Sequence, residues 1–407
     1  MTLANNVRLM YLVPEFPSQT HAFFWREVLA LRSRGVDVIL VSTRRPPADA
    51  CRHDFSKAAA DQTLYLFPPD WMADTLFLLS RPASAIKALS YIASLGESSW
   101  LQRMMAVPLM LPAARLCRMA RNKRADHLHV HSFANSAHVA ALARVMGGCS
   151  FSLTLHGDLE VYGRDHSSKT RHAKFVTCVT EPLRQQVTEK TGLPDSAVHL
   201  LWMGVDTRHF KPVDRHEVLA GQPLRLLTVA RLHVNKGHRF ALRALKQLKD
   251  QGMNTHYIIV GDGPAMEEIG QEVLALGLSE AVELVGTKSE SEVLQLLQSS
   301  DVLLLTSVGM GEAAPVAVME AMACGLPVVC SVIGGTRDMI DNGHDGFLVE
   351  QQNVDAIADR IRQLIENPAM ALEMGKAARV RAVRDFDSDA LAGALLSLIT
   401  SGRHTSS

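Results

Sequence analysis

The sequence predicts an α/β protein with two domains, each built on a doubly wound parallel sheet. Short apolar runs alternate along the chain with longer segments of helical periodicity, which is the pattern of repeated strand–helix–strand units. Runs such as DVLLLTS and LPVVCSV show no polar alternation and are typical of strands buried on both faces. At 407 residues the chain is too long for a single core, so two domains are expected.

The composition excludes several classes of function. Lys plus Arg and Asp plus Glu number 42 each, so no overall charge indicates nucleic-acid binding. The six cysteines show no metal-binding spacing, which favours free thiols in a reducing compartment. The N-terminus lacks the layout of a signal peptide, and no apolar run is long enough to span a membrane. We therefore expect a cytoplasmic protein.

The first domain opens with the strand VRLMYLV, a loop, a helix that ends at Gly35 and the strand VDVILVST. The loop has no GxGxxG, so a dinucleotide-binding fingerprint is absent. Gln19 and Thr20 lie in this loop, where an ordinary helix cap is the simplest role for them.

Histidines mark two later strands of this domain. HLHVHSF places His127, His129 and His131 on one side of a strand. They could bind a metal, but no fourth ligand is evident, so we expect none and place His131 at a pocket edge. His156 follows the strand FSLTL, and carboxyl ends of parallel strands are where such sheets bind ligands. A purely structural histidine is the alternative; we favour ligand binding.

Residues 70–125 form the least regular part and read as several short apolar helices. Between positions 75 and 125 there are eight Lys or Arg and one acid, Glu97. Basic residues beside Trp, Leu and Met fit either peripheral contact with anionic lipid or a solvated face on packed helices. Pro108 and Pro112 argue against a spanning helix.

The second domain, predicted from Lys211, alternates strands and helices. Arg231 and Lys236 lie just past its first strand, where a guanidinium and an ammonium group can hold an anion. Exposed basic residues in a loop are the alternative. Thr287 and Lys288 follow Gly286 in a turn at a later strand end.

The stretch 301–335 carries two carboxylates in an unusual setting. Glu312 lies in the loop after DVLLLTS, and Glu320 lies in an apolar helix predicted from Pro315 to just before Gly325. A buried charge is costly without partners, so Glu320 pairs either with an arginine or with ligand hydroxyls. Free amides at the start of this helix favour an anion such as a phosphate.

The spacing of Glu312 and Glu320, followed by AMACGLPVV and GG, resembles the two-glutamate signature of the retaining glycosyltransferases of family 4. The first loop and helix, FPSQTHAFFWREVLALRSRG, resemble bacterial polysaccharide-building members of that family. TLHG resembles its TxHG/D segment, and Arg231 with Lys236 resembles its R-x4-K diphosphate motif. The resemblance covers nearly the whole chain and is strongest over 224–349.

The resemblance implies two Rossmann-like domains facing a cleft, the GT-B fold, with an acceptor-binding domain at 1–210 and a nucleotide-sugar domain at 211–385. The final segment, 386–407, would pack back on the first domain. The implied reaction moves a sugar from a nucleotide-sugar, preferably a UDP-sugar, to an acceptor hydroxyl with retention, without metal or other cofactor.

The family also implies a role for each candidate residue. Arg231 and Lys236 would neutralise the diphosphate, and Glu320 would hold the ribose. Glu312 and His156 would contact the donor sugar. The remaining donor-binding positions are Ala313, Ala314, Pro315 and Val316 at the helix start, Gly286, Thr287 and Lys288 near the base, and Gln19 and Thr20 opposite the diphosphate. No general base is evident, which fits a mechanism in which the leaving phosphate takes the acceptor proton.

The basic apolar region indicates a glycan or polyprenyl-diphosphate-linked acceptor, reached at the inner face of the cell membrane during exopolysaccharide synthesis. A nucleotide-sugar epimerase or hydrolase is one alternative, and a non-catalytic nucleotide-sugar-binding protein is another. The latter draws on one departure, because Ala313 and Ala314 replace glycine-containing sequences of many relatives. Glycine permits backbone conformations that alanine restricts.

Overall fold

The computed structural model describes residues 7–47, 50–213, 222–309 and 313–401. They form two compact units, unit 1 (Met1–Trp202 and Asp389–Ser407) and unit 2 (Met203–Ser388). Each unit contains one parallel sheet with helices packed against it, as the alternating pattern of strands and helices predicts.

Unit 1 is built on a seven-stranded sheet in the order β3-β2-β1-β4-β5-β6-β7, with parallel neighbours. The strands are β1 (Arg8–Leu12), β2 (Asp37–Ser42), β3 (Leu64–Tyr65), β4 (His127–Val130), β5 (Ser150–Leu155), β6 (Val176–Cys178) and β7 (Val198–Leu200). The order of strand addition reverses between β1 and β4. Loops that follow these two strands therefore open at the switch point, where doubly wound sheets bind ligands.

Most helices of unit 1 connect these strands, and four of them, α3 to α6, fill the irregular region. They are α1 (Ala22–Ser33), α2 (Ser56–Gln62), α3 (Trp71–Leu79), α4 (Pro82–Ala93), α5 (Trp100–Ala106), α6 (Met110–Asn122), α7 (Asn135–Val145), α8 (His166–Thr170) and α9 (Glu181–Thr191). The apolar side of α1, with Phe24, Val28 and Leu31, packs on Leu9 and Tyr11 of β1 in one buried cluster.

Unit 2 has a six-stranded parallel sheet in the order β10-β9-β8-β11-β12-β13. Its strands are β8 (Leu224–Val229), β9 (Thr255–Val260), β10 (Val282–Gly286), β11 (Val302–Leu305), β12 (Val328–Ser331) and β13 (Phe347–Val349). Here the order reverses between β8 and β11, so the loops after these two strands flank the switch point.

The helices of unit 2 cover both faces of its sheet. They are α10 (His238–Asp250), α11 (Met266–Ala275), α12 (Glu290–Ser299), α13 (Val316–Ala323), α14 (Thr336–Met339), α15 (Val354–Glu366) and α16 (Pro368–Asp385). The last helix, α17 (Ser388–Thr400), belongs to unit 1 from Asp389 onward, and its Ala392, Leu395 and Ile399 join the core beneath α1. Among the helices described here, none has the length and apolar character needed to cross a bilayer.

Candidate functional site

The loop after β8 brings Arg231 and Lys236 to the switch point of unit 2. Arg231 is exposed just past the strand, and Lys236 ends a single helical turn before α10. Gly237 follows with φ +66°, and a Cβ there would lie 1.9 Å from the carbonyl oxygen of Thr306. Only glycine therefore lets this loop contact the end of β11. The backbone N–H of Val308 also donates to the carbonyl of Asn235 at 2.7 Å, which ties the two loops together.

Ala313 and Ala314 lead directly into α13, and the described backbone at this point shows no strain. Ala313 and Ala314 are buried, and neither belongs to the described residues with positive φ. The N–H of Gly335 donates to the carbonyl of Ala313 at 2.7 Å and fixes the loop. The two alanines therefore occupy their positions without the left-handed conformations that would need glycine.

The start of α13 differs slightly from the sequence prediction, because Pro315 is the cap residue and Val316 is the first helical residue. Glu320 lies in this helix and is 7% exposed, between fully buried Met319 and Ala321. Residues 310–312 lie outside the described residues, so the predicted sugar contact of Glu312 stays a prediction.

The turn after β10 is the third segment of unit 2 that carries predicted site residues. Gly286 ends the strand with φ +70°, and its carbonyl accepts from the N–H of Gly261 at 2.9 Å. Thr287 and Lys288 are half-buried, and the Lys288 ammonium lies 3.3 Å from the Glu292 carboxylate one turn further on. The Lys288 side chain thus has a partner within the protein, and a ligand contact of this turn stays a prediction.

In unit 1, Gln19 holds its loop to a neighbouring segment. Its side-chain oxygen accepts from the N–H of Arg52 at 2.9 Å, and its own N–H donates to the carbonyl of Ala50 at 2.9 Å. Thr20 is exposed. The cap of α1 is His21, with no side-chain capping bond, so the simple capping role considered for Gln19 and Thr20 is wrong.

The histidines of β4 take part in a buried hydrogen-bonded ladder. His127 lies 2.7 Å from the Ser150 hydroxyl and 2.8 Å from that of Ser152. The two ring nitrogens of His129 lie 2.7 Å from Ser152 and 2.8 Å from Thr154. Burial lowers the pKa of His129 well below its usual range. The ring nitrogens of both histidines therefore have hydrogen-bond partners inside the sheet, and His129 is neutral.

The third histidine, His131, lies where β4 ends and contacts His156 at the end of β5. Nδ1 of His131 is 3.0 Å from Nε2 of His156, and Nε2 of His131 is 3.4 Å from a carboxylate oxygen of Glu27. Burial lowers the pKa of His131 to about 3 and that of His156 well below its usual range. His131 therefore links His156, which follows β5, to Glu27 of α1.

Sequence reasoning missed Glu27, although a signal was present. Glu27 lies three residues after Phe24 and four before Leu31, both on the buried face of α1. A carboxylate at core-facing spacing needs a partner. Burial raises its pKa, while neighbouring His129, Tyr11 and His156 act in the opposite direction.

The sequence predicts no metal site, but the described residues include one group of side chains that could bind an ion. Single ligand atoms of Glu27, His129 and His131 lie within 4.8 Å of one another. Both nitrogens of His129 are already hydrogen-bonded to hydroxyls, so an ion would have to displace one of them. The hydrogen-bonded arrangement therefore satisfies His129 without a metal.

Two family models match the chain along most of its length. The one described as Glycosyl transferases group 1 matches residues 211–381, and the one described as Glycosyltransferase Family 4 matches residues 21–209. The chain belongs to the glycosyltransferases that these two models describe together. The candidate residues at the switch point of unit 2 lie inside the first match, and Glu27, His131 and His156 lie inside the second.

Relatives of similar length support the same assignment. WcaL of Escherichia coli (strain K12), named as a colanic acid biosynthesis glycosyltransferase, is 27% identical over 97% of this chain and 99% of its own. The Salmonella typhimurium protein of that name is 35% identical over 213 residues, which are 51% of this chain and 52% of that protein. AmsK of Erwinia amylovora, an amylovoran biosynthesis glycosyltransferase, is 29% identical over 94% of this chain and 96% of its own.

The fold of this glycosyltransferase is also found in solved structures. HepE of Anabaena, crystallised in complex with UDP and glucose, superposes with a TM-score of 0.73 at 17% identity, over 97% of this chain and 100% of that one. The predicted fold class, two doubly wound domains of the GT-B type, is therefore confirmed.

The glycosyltransferase carries an exposed apolar surface on α3, α4 and α5, which we call the α3–α5 surface. Trp71 is 64%, Met72 82%, Trp100 76% and Met105 71% exposed. The other large apolar side chains exposed on this surface are Leu76, Leu79, Ile86, Leu89, Leu101 and Met104.

Several arginines of this region are used inside unit 1. The guanidinium of Arg118 lies 2.6 Å from the carboxylate of Asp74, which is fully buried. Arg115 donates to the carbonyl of Pro68, and Arg121 lies over the ring of Phe77. These three arginines therefore stabilise the helix packing, whatever else the surface contacts.

Proposed function

We propose that this glycosyltransferase transfers a hexose from a nucleotide-sugar, with UDP as the favoured nucleotide, to a glycan or lipid-linked acceptor in the synthesis of a cell-surface polysaccharide. The names of the WcaL and AmsK relatives support the polysaccharide, and the UDP complex of HepE supports the nucleotide. A hexosyl transfer of this kind unites the family assignment with the chemistry of the residues at the sheet edges.

The observation that carries the proposal is the pairing of elements at the switch point of unit 2. Arg231 and Lys236 follow β8, and α13 with Glu320 follows β11, so both borders of the ligand-binding crevice carry suitable groups. Cations on one border favour a diphosphate, and a carboxylate on the other favours ribose hydroxyls.

We propose that the bond between the sugar and the diphosphate breaks because the protein stabilises the leaving diphosphate. Arg231 and Lys236, with the backbone of Ala313 to Val316, neutralise the charge that develops on the departing diphosphate. Glu320 holds the ribose, and the turn at Gly286, Thr287 and Lys288 borders the base. This assignment includes no metal ion, since these cations supply the positive charge that the leaving group needs.

Further assignments concern the sugar and the proton. His156 and Glu312 remain the predicted contacts of the donor sugar, and Gln19 and Thr20 the residues predicted near the diphosphate. The acceptor hydroxyl attacks the sugar on the face from which the diphosphate departs and gives its proton to the leaving phosphate. Attack on that face forms the new bond with retention.

We also propose that the α3–α5 surface rests on a membrane that holds the acceptor. Large apolar side chains next to Arg81 and Lys87, both exposed, suit the interface of an anionic bilayer. This proposal relies on the apolar groups, because Arg115 and Arg118 are engaged within the protein.

The test is a transfer assay with radiolabelled UDP-, GDP- and ADP-hexoses and bacterial lipid extract as acceptor. The proposal predicts label in the lipid fraction with the UDP-hexose, and release of UDP that depends on the extract. Arg231→Ala should lower the rate about a hundredfold, while Arg243→Ala on the exposed side of α10 should leave it unchanged. Turnover of the donor alone, at the same rate with and without extract, would instead indicate an epimerase or hydrolase.

A further inference from the structure

Glu27 of α1 lies next to His131, which contacts His156 at the carboxyl ends of the unit 1 strands. Its side chain is 20% exposed, and its oxygen Oε1 is buried 3.4 Å from Nε2 of His131. This close approach does not itself have the geometry of a hydrogen bond, and within the described part of the chain neither atom has another hydrogen-bond partner. The other ring nitrogen of His131 contacts Nε2 of His156 at 3.0 Å. The three side chains therefore form a line from α1 to the end of β5.

Aromatic packing holds the two imidazole rings in this line. The ring of His131 lies between Tyr11 and Phe24, with centroid distances of 4.4 and 4.8 Å. Phe24 also meets the edge of His156 at 5.2 Å, and Phe23 lies 5.6 Å from the same ring. Apolar neighbours on these sides keep both histidines neutral, so each carries one proton that must choose between two nitrogens.

The position of each proton follows from the group at the end of the line. An ionised carboxylate only accepts hydrogen bonds, so it places the His131 proton on Nε2. Nδ1 of His131 is then bare and accepts from Nε2–H of His156. The remaining nitrogen of His156, Nδ1, is consequently bare as well, and within the described residues it is buried without a partner.

We propose that Glu27 is a positioning residue which, through His131, holds His156 in the Nε2–H tautomer and keeps its Nδ1 as a hydrogen-bond acceptor. The inference rests on the proposed function for its consequence: a hydroxyl group of the sugar is the donor that this nitrogen accepts. A donor in place of the carboxylate reverses the whole line, because His131 then presents Nδ1–H and His156 presents Nδ1–H in turn.

A metal ion is the competing explanation for the buried, unpartnered atoms of Glu27 and His131. A metal ion would need His129 as a third ligand, but both ring nitrogens of His129 are hydrogen-bonded, one to Ser152 and the other to Thr154. The Tyr11 hydroxyl is a simpler partner for the Glu27 carboxylate than a metal ion. Burial raises the pKa of Tyr11 most, and nearby Glu27 raises it further. The carboxylate thus faces two possible donors, Tyr11 and His131.

The test uses the full-length protein labelled with ¹⁵N-histidine, at pH 8 and without donor or acceptor. Two-bond ¹H–¹⁵N correlation spectra distinguish protonated from bare ring nitrogens, and the loss of signals in His156→Ala assigns His156. We expect Nε2–H and bare Nδ1 in the wild type. In Glu27→Gln the amide can donate to His131, so the Nδ1–H form of His156 should appear.

Two controls separate this role from general packing. Glu189→Gln, the same chemical change at an exposed position of α9, should leave the His156 pattern unchanged. Tyr11→Phe removes the second donor and keeps the line, so His156 should remain Nε2–H. An Nδ1–H tautomer in the wild type, or an unchanged pattern in Glu27→Gln, would overturn the proposal.

Metal analysis of the same preparations decides the competing explanation. A stoichiometric divalent ion in the wild type, lost in Glu27→Gln, would also overturn the proposal; its absence from both supports it. The spectra need no turnover, so a failed transfer assay with the expected tautomers would refute the proposed function and leave the role of Glu27 intact.

Discussion

Gly237 shows how one residue sets the geometry of the loop that carries Lys236. Its φ of +66° lies in the left-handed region, and the carbonyl of Thr306 fills the place of a side chain. The hydroxyl of Thr306 also donates to the carbonyl of Gly237 at 2.9 Å. Backbone conformation and close approach therefore both require glycine here.

Gly237→Ala should destabilise unit 2 more than a left-handed alanine alone would. Gly277 is the matched control, because it has the same φ of +66° and open space around its Cβ position. We expect about 1 kcal/mol for Gly277→Ala from φ alone. Gly237→Ala should cost about 1–3 kcal/mol more, because the backbone must move apart. Urea unfolding measures both, and equal effects would contradict a close approach at Gly237.

Residues predicted from the sequence differ in how local their signals are. Arg231 and Lys236 could be located because a buried strand, a loop and a helix start are read within one segment. Glu27 could not be assigned, because its neighbours His131 and His156 follow strands that lie far along the chain. The role of Arg118 was hidden for the same reason, since only the structure shows its contact with buried Asp74.

At the scale of elements, the alternation of strands and helices predicted both sheets, because parallel strands buried on both faces leave a clear apolar pattern. The helices of 71–122 were predicted only as a succession of short apolar segments. Their solvent-facing sides carry Trp71, Trp100 and Met105, which helical periodicity alone would assign to a core. Large apolar groups on an exposed side indicate an interaction surface.

The α3–α5 surface yields a prediction for lipid binding. The triple variant Trp71→Ser, Trp100→Ser, Met105→Ser should bind anionic vesicles at least about tenfold more weakly, because it removes the apolar area that enters the interface. The measurement is cosedimentation with phosphatidylglycerol vesicles. A control triple, Met266→Ser, Leu274→Ser, Val380→Ser, changes exposed apolar residues of unit 2 and should bind normally. Equal weakening in both triples would count against a specific surface.

At the scale of the whole molecule, most of the histidines whose pKa is lowered by burial lie in unit 1, whereas the described part of unit 2 contains one, His238. Burial lowers the pKa of His21 and His138 to about 4 and that of His131 to about 3, all in unit 1. In the unfolded chain these groups have a pKa near 6.5. Between the two values the unfolded state binds more protons, so stability falls as the pH drops from about 6.5 towards 4.

Unit 1 should therefore lose stability in mild acid before unit 2. All four tryptophans, Trp25, Trp71, Trp100 and Trp202, lie in unit 1, so their fluorescence reports that unit alone. We expect the midpoint of thermal unfolding by fluorescence to fall between pH 7 and pH 5. Circular dichroism, which reports both units, should separate into two transitions at pH 5. A fluorescence midpoint that does not change with pH would contradict this account.

The central claim is that the switch point of unit 2 binds the nucleotide of the donor, and calorimetry tests it most directly. UDP, GDP and ADP are titrated into the wild type, Glu320→Gln and Glu268→Gln, the last an exposed control on α11. We predict that UDP binds, that Glu320→Gln weakens it about tenfold or more by removing a charged acceptor from the ribose, and that the control binds normally. Binding of UDP that Glu320→Gln leaves unchanged, or no binding of any nucleotide, would contradict the account.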